Sequence, residues 1–231
     1  MDARELMRLH VGALFTHDRK GRLVAVNEPG GEPAPRLFLG CTAQGNVWWL
    51  RHDLDEALAD ELEAACHAES VSRDLVAVPA MVERLSAILT VAAPVERAWG
   101  GPAFVCPLES SESEAAVRVD RTNADLLSPY LEDWRVDAEE GVAMAVSIQD
   151  GRAVSVCCSV RLSDRAHEAG VETHPDFRGR GHGARAVAEW ANAVRGLERV
   201  PLYSTSWENE ASRRLAARLG LVQFGADLHI T

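Results

Sequence analysis

Lysine is nearly missing from this 231-residue chain. Lys20 is the single lysine among 24 basic residues, a compositional bias with no functional content. Tyrosine is scarce too, limited to Tyr130 and Tyr203. No apolar run approaches the roughly 18 residues of a membrane span. The N-terminal "MDARELMRLH" lacks the apolar core of a secretory signal. A cytoplasmic protein is therefore expected. No C-x-x-C occurs, and the five cysteines, Cys41, Cys66, Cys106, Cys157 and Cys158, are odd in number. Both facts argue against a disulfide framework or a zinc site. Cys157 and Cys158 sit in a strand-like run, where successive side chains face opposite ways. Both are expected as small buried hydrophobes.

Positive charge is also in short supply. With 24 basic and 35 acidic residues the net charge is −11. The acid excess is spread, with 10 basic against 16 acidic residues in 1–110 and 14 against 19 in 111–231. Such a field disfavours nucleic-acid contact and mildly favours cationic or amine-bearing partners.

What is present is an ordinary globular balance, 47% hydrophobic and 26% charged. Residues 11–52 read as strands, with "VGALFTH" and "RLVAVNE" around "DRKG", and "RLFLGCT" and "NVWWLRH" around "AQG". In an alternating strand one of Trp48 and Trp49 is expected in the core. Residues 54–68 and 78–89 carry helical stripes. "PLESSESEA" (107–115) has the composition of a linker. Beyond it, 123–134 reads as an amphipathic helical region interrupted at Pro129. "QDGR" joins two apolar runs in 142–162 as a tight hairpin. "AHEAGVET" (166–173) is a further strand, and 182–195 a helix. "PLYSTSW" (201–207) is a strand, and 209–220 a helix with an Asn cap and a closing Gly. These spans divide the chain into an N-terminal α+β module (1–106), the linker, and a C-terminal domain (116–231).

Between strand and helix lies "THPDFRGRGHGA" (173–184), with three glycines and two arginines. Glycine lets the backbone approach a ligand closely. The first amides of a helix lack intrahelical partners and carry partial positive charge. Arg178 and Arg180 add forked guanidinium groups suited to phosphate oxygens. The stretch therefore reads as a phosphate or pyrophosphate cradle. A P-loop is excluded, because no Gly-Lys-Ser/Thr follows. Gly179, Gly181 and Ala184 formally meet G-x-G-x-x-G/A. That motif should open a doubly wound sheet with an acid ending the next strand, and here it comes late, with Glu198 before the strand instead.

The remaining pattern is R/Q-x-x-G-x-G/A, met by Arg178, Gly181 and Gly183. "VET" precedes it and "SWENEASRRLAARLGL" follows. Over about residues 116–231 the chain resembles the GNAT superfamily of N-acetyltransferases. The second motif carries Asn209, Ser212, Leu215 and Gly220 in the family's usual positions. The resemblance implies a mixed, mostly antiparallel α/β sheet flanked by helices, and acetyl-CoA as acyl donor, with no metal. The pyrophosphate would lie on the amides of Arg178, Gly179, Arg180, Gly181, His182, Gly183 and Ala184. The pantetheine would pair with the backbone at Val171, Glu172 and Thr173. Asn209, with Ser212 in the same motif, would contact the cofactor beside the second helix.

A small-molecule or peptide amine would be the acceptor, with no nucleic acid or membrane partner. The family's base position, counted from Thr173, falls on His167, or on Glu168 if the strand has a one-residue bulge. Glu168 is preferred because a carboxylate also attracts a cationic amine, and Glu172 ranks third. The family's acid, a Tyr after the Leu of the second helix, is replaced by Ala216. Tyr203 and Ser206 are the substitutes at hand. The 1–106 module is open to three roles: a substrate-shaping module, a homodimerisation surface, or a degenerate second copy of the fold. A non-catalytic acyl-CoA sensor is the alternative to an enzyme.

Overall fold

The computed structural model describes residues 1–71, 75, 81–107 and 116–231. In chain order the elements begin with α1 (Ala3–Leu14), β1 (Phe15–His17), β2 (Leu23–Val26), β3 (Leu37–Thr42) and β4 (Gly45–Leu50). Next come α2 (Glu56–Ala68), α3 (Val82–Thr90), β5 (Ala98–Val105), β6 (Ala116–Arg118) and α4 (Arg135–Glu140). The remainder are β7 (Met144–Gln149), β8 (Arg152–Leu162), β9 (Ala166–Thr173), α5 (His182–Gly196), β10 (Val200–Ser204), α6 (Glu210–Arg218) and β11 (Val222–Ile230).

The chain forms two compact units. One holds Met1–Val105 with Ser204–Arg213 and Gln223–Thr231; the other holds Cys106–Tyr203 with Arg214–Val222. The C-terminal residues thus contribute to both units. The linker expected at 107–115 lies outside the described residues from 108 onward.

The first unit has the strand order β4-β3-β11-β5. The start of the chain departs from expectation: residues 11–14 continue a helix, and only Phe15–His17 are extended. The Asp2 side chain accepts from the Glu5 amide at 2.8 Å. Leu6, Met7, His10 and Val11 recur at helical spacing and are buried. On one face of the sheet Leu37, Leu39, Cys41, Leu228 and Ile230 pack with Leu62 of α2 and with Leu85 and Leu89 of α3. On the other, Met7 fills the space over Gly40 and Gly225, where any Cβ would collide with it. Arg36 is buried and donates to the carbonyls of Leu89, Ala93, Pro94 and Thr231 at 2.9–3.1 Å. It thereby satisfies acceptors left over at the C-terminus of α3.

The two tryptophans of β4 part as alternation requires. Trp48 packs on the α2–α3 core. Trp49 begins a row of rings across the sheet, Trp49–Phe38–His229–Trp99, with centroids 5.7, 4.9 and 4.6 Å apart. Behind the row, His10 Nε2 meets Asp227 Oδ2 at 2.7 Å.

The second unit has the order β10-β9-β8-β7-β6, antiparallel throughout except for the parallel β9–β10 pair. Asp150 (φ 51°) and Gly151 (φ 76°) make the β7–β8 turn, the tight hairpin that Asp-Gly predicts. The expected helical region at 123–134 is two 3-10 turns, Ala124–Leu127 and Glu132–Trp134, before α4. Leu127 and Leu131 are buried with Met144, Val146, Val156 and Cys158, each such side chain contributing about 1.5–3 kcal/mol. Cys157 is buried as well but outside that cluster. Burial pushes the Cys158 thiol up to about 12, so both cysteines act as small apolar groups. Helix α5 buries Ala186, Val187, Trp190, Ala191 and Val194.

Candidate active site

Strand β9 and the loop after it build the site. The bulge expected on β9 is on its partner. Ser159 lies opposite Ala169 and Arg161 opposite Glu168, so Val160 of β8 is the extra residue. A Cβ on Gly170 would collide with the Val160 side chain, which is why the bulge needs a glycine across from it. Alternation along β9 is therefore unbroken. His167, Val171 and Thr173 face α5, and Glu168, Gly170 and Glu172 face the other way.

His167 is 8% exposed. Its Nδ1 lies 2.8 Å from Ser159 Oγ, which also accepts from Trp190 Nε1 at 3.0 Å. Burial pulls the imidazole below its ordinary range, and the charge of Arg199 adds to that. Glu168, on the opposite face, is 2% exposed. Tyr203 is buried. Because Pro201 pairs with His167 and Leu202 with Glu168, alternation puts Tyr203 on the His167 side. Glu172 is exposed, and its Oε2 accepts from Trp134 Nε1 at 2.6 Å.

The parallel β9–β10 register runs from Ala166–Val200 to Glu168–Leu202, while β9 continues to Thr173. The strands part there, freeing the β9 edge at Val171–Thr173. Pro175–Phe177 then form a 3-10 turn. Gly179 (φ 75°) and Gly181 (φ 85°) take left-handed conformations that favour glycine. Gly181 is the N-cap of α5 and offers no side-chain acceptor, and the first turn carries no acid. Gly183 faces Thr173 Oγ1 and Val171 Cγ1, which a Cβ would meet at 3.4 and 3.7 Å.

The arginines divide their tasks. Arg178 Nε donates to the Thr173 carbonyl at 3.1 Å and closes the loop. Arg180 lies over the Phe177 ring at 5.6 Å. Arg218, at the end of α6, is a cation that the motif reading passed over. A Cβ on Gly181 would sit 2.8 Å from its Nη2, so its guanidinium reaches the mouth of α5.

The His182 side chain packs edge-on against Phe177 of the loop, with centroids 6.2 Å apart. It is buried, with Nδ1 2.9 Å from Ser147 Oγ and Nε2 3.1 Å from Gln149 Oε1. Asn209 Oδ1 accepts from the Ser212 amide at 3.0 Å and so caps α6. Asn209 and Ser212 fall in the first unit and the loop in the second. Among the described residues no helix is long and apolar enough to cross a membrane.

The model of the family described as GNAT acetyltransferase matches residues 110–225, which is 116 of the 231 residues. No curated protein matches the sequence. A solved GNAT-family acetyltransferase from Colwellia psychrerythraea shares 10% identity over 98% of this chain and 94% of that one, with a TM-score of 0.51. It shows the common fold. A GNAT-family protein from Novosphingobium aromaticivorans is 20% identical over 59% of this chain, with a TM-score of 0.48. The match spans 65% of that protein, just under two thirds of its length. A Salmonella typhimurium protein solved with its cofactor acetyl-CoA is 19% identical over 51% of this chain and 92% of that one, with a TM-score of 0.36. The family match takes in β9, the glycine loop and the whole of α5, and the chain belongs to the GNAT acetyltransferase family.

Proposed function

We propose that this acetyltransferase moves the acetyl group of acetyl-CoA to the nitrogen of an amine acceptor by direct attack. The observation that carries the reading is the bare N-terminus of α5. A 15-residue helix begins at a left-handed glycine with no side-chain cap and no acid in its first turn. Guanidinium groups lie around it. Amides so placed suit a phosphate anion.

The residues present fit the cofactor. The amides of Arg178–Ala184 would hold its pyrophosphate, with Arg218 beside them. The freed edge of β9 at Val171–Thr173 would pair with the pantetheine like an added strand. Bound acetyl-CoA supplies a thioester carbonyl open to attack. Glu168 would take the proton of the attacking amine. Without a bulge on β9 the family's count falls on His167, but Ser159 and Trp190 hold that ring in the core; Glu168 is as deeply buried and is preferred for the charge by which a carboxylate attracts an amine. Tyr203 sits on the side opposite Glu168, so the thiolate would depart without a tyrosine donor.

Acetyl-CoA consumption against a panel of amines tests the reading. Glu168→Gln should lower turnover by about 10²–10⁴-fold at unchanged CoA affinity, the usual cost of removing a general base. His167→Gln should leave turnover nearly intact. The reverse pattern would move the base to His167. CoA binding with no turnover of any amine would make the protein an acyl-CoA sensor.

A further inference from the structure

Trp190 of α5, Ser159 of β8 and His167 of β9 form a buried chain of hydrogen bonds, and its direction is fixed from one end. The indole N–H of Trp190 can only donate, and it donates to Ser159 Oγ at 3.0 Å. The second neighbour of that oxygen is His167 Nδ1 at 2.8 Å. Among the described residues the Ser159 hydroxyl has no third partner. If Nδ1 carried a hydrogen, the serine hydrogen would be left buried without an acceptor, which is costly. The serine therefore donates to Nδ1. His167 is then a neutral ring with its hydrogen on Nε2. Burial opposes a second proton, and the charge of Arg199 adds to that.

The Nε2–H has no acceptor among the described residues. Strand β9 lies between β8 and β10. Because Nδ1 is turned to Ser159 of β8, Nε2, across the ring, is turned toward the β10 side. Pro201 stands opposite His167 there and brings no N–H to the ladder. One pair further, at Glu168 and Leu202, the register ends and the strands part. The free N–H thus lies at the closed end of the gap whose β9 edge runs on to Val171–Thr173.

A neutral imidazole held in this tautomer is a poor base, because its open nitrogen already carries a hydrogen. It is a good electrophile, since it can donate to an oxygen that gains charge without giving up its proton. We infer that His167 is the hydrogen-bond donor to the acetyl carbonyl oxygen of acetyl-CoA bound along β9, its Nε2–H fixed for that task by Ser159 and Trp190. As the amine nitrogen attacks, the C–N bond forms and charge collects on that oxygen. The C–S bond then breaks and its electron pair leaves with sulfur. The proton of the amine goes to Glu168, and His167 keeps its own. Glu168 and His167 lie on opposite faces of β9, so base and donor come to the strand edge from two sides. This rests on the reading of β9 as the strand that serves acetyl transfer.

Nuclear magnetic resonance of the free protein, isotope-labelled in its histidines, reports the tautomer of His167, and the Nε2–H form is expected. Infrared difference spectra of carbonyl-labelled acetyl-CoA bound to the protein need no acceptor. The C=O stretch should lie lower in the wild-type complex than in free acetyl-CoA. His167→Leu should return it to the free value. His167→Gln, whose amide N–H stands in for Nε2–H, should keep the lowered one. Turnover should follow the same order: His167→Leu lowers kcat by about 10²–10³-fold, the usual cost of one oxyanion donor, and His167→Gln keeps most of it. A base at this position would be lost in both variants. CoA affinity by calorimetric titration should be the same in all three proteins. An Nδ1–H tautomer overturns the inference, as does a wild-type C=O stretch that is not lowered or one that stays low in His167→Leu. A lowered stretch that depends on His167, with no amine acetylated, upholds the donor and overturns acetyl transfer instead.

Discussion

Helices α1 and α5 begin in opposite ways. Asp2 places a carboxylate on the amide of Glu5, and Glu5 adds an acid to the first turn of α1. Helices α2 and α6 follow the same rule, with Asp55 on the Ala57 amide at 2.9 Å and Asn209 on that of Ser212 at 3.0 Å. Helices α3 and α4 lack a side-chain cap but keep Glu83 and Asp137 in their first turns. Helix α5 has neither device. All these helices have the same orphan amides. At the other helices the chain supplies a side-chain acceptor or at least a first-turn acid itself. At α5 it supplies glycine and nearby guanidinium groups, and no acceptor of its own, as the proposed cofactor site requires.

The largest effect that tests this contrast is stabilisation by the cofactor. A ligand bound only by the native state adds about 2.7 kcal/mol at 100 times its Kd. For a chain of this size that raises the melting midpoint by roughly 5–10 °C. Asp2→Ala should lower the midpoint of the free protein, because losing a cap costs about 1 kcal/mol, while the shift produced by acetyl-CoA stays the same. No shift in wild type at millimolar acetyl-CoA would remove α5 as the cofactor site.

Gly181→Val comes next. A branched residue at φ 85° is strained by about 1–3 kcal/mol, and its Cβ would also displace Arg218. CoA affinity should fall at least tenfold by titration, with the far-UV spectrum preserved. Gly183→Val should do less to the backbone, since Gly183 has no left-handed φ and its neighbours lie at ordinary contact distance. Equal CoA binding by wild type and Gly181→Val would mean that the loop is not the cradle.

Much of this contrast was legible in the sequence. "AHEAGVET" is β9 to the residue, and α5 starts at His182, as read from the sequence. Both have strong local signals, a bounded strand and a helix after a breaker. The start of α1 was missed because "VGALFTH" looks extended when read alone. The better signal was Asp2 and Glu5 at capping-box spacing ahead of Leu6, Met7, His10 and Val11. Strand β5 has no such signal, because Gly100, Gly101 and Pro102 are residues that interrupt strand patterns. The structure shows what two of them do: a Cβ on Gly100 would lie 2.5 Å from the Asp227 carbonyl, and one on Gly101 would strike that of Thr205. These are long-range reasons that no local window contains. Arg218 escaped for the same cause, since its value lies in reaching Gly181 across the fold.

A smaller change makes α5 resemble α1. Ala184→Glu puts an acid in the first turn, where it complements the helix dipole by about 0.3–1 kcal/mol. The free protein should melt slightly higher, and CoA should bind more weakly because the new carboxylate repels its phosphates. A variant that binds CoA as well as wild type would show that the anion sits elsewhere.

The smallest expected effect concerns the proton on His182. Arg185 Nη1, a pure donor, lies 3.2 Å from Nδ1, and Gln149 Oε1, an acceptor, lies 3.1 Å from Nε2. This pattern fits the neutral ring with its hydrogen on Nε2. Burial lowers the imidazole below its ordinary value, and the charges of Arg185 and Arg180 lower it further. The folded state thus binds this proton less readily than the unfolded state does. The stability that results is in place above the unfolded value near 6.5 and is lost as pH falls through it toward the folded value. His167 and His17 shift in the same direction, so wild type alone cannot isolate His182. His182→Gln can, because glutamine has no proton to gain at the mouth of α5. Melting curves at about pH 7.5 and about pH 5.5 should show a smaller acid loss in the variant than in wild type. An identical loss in both would mean that His182 plays no part in the acid sensitivity of the fold.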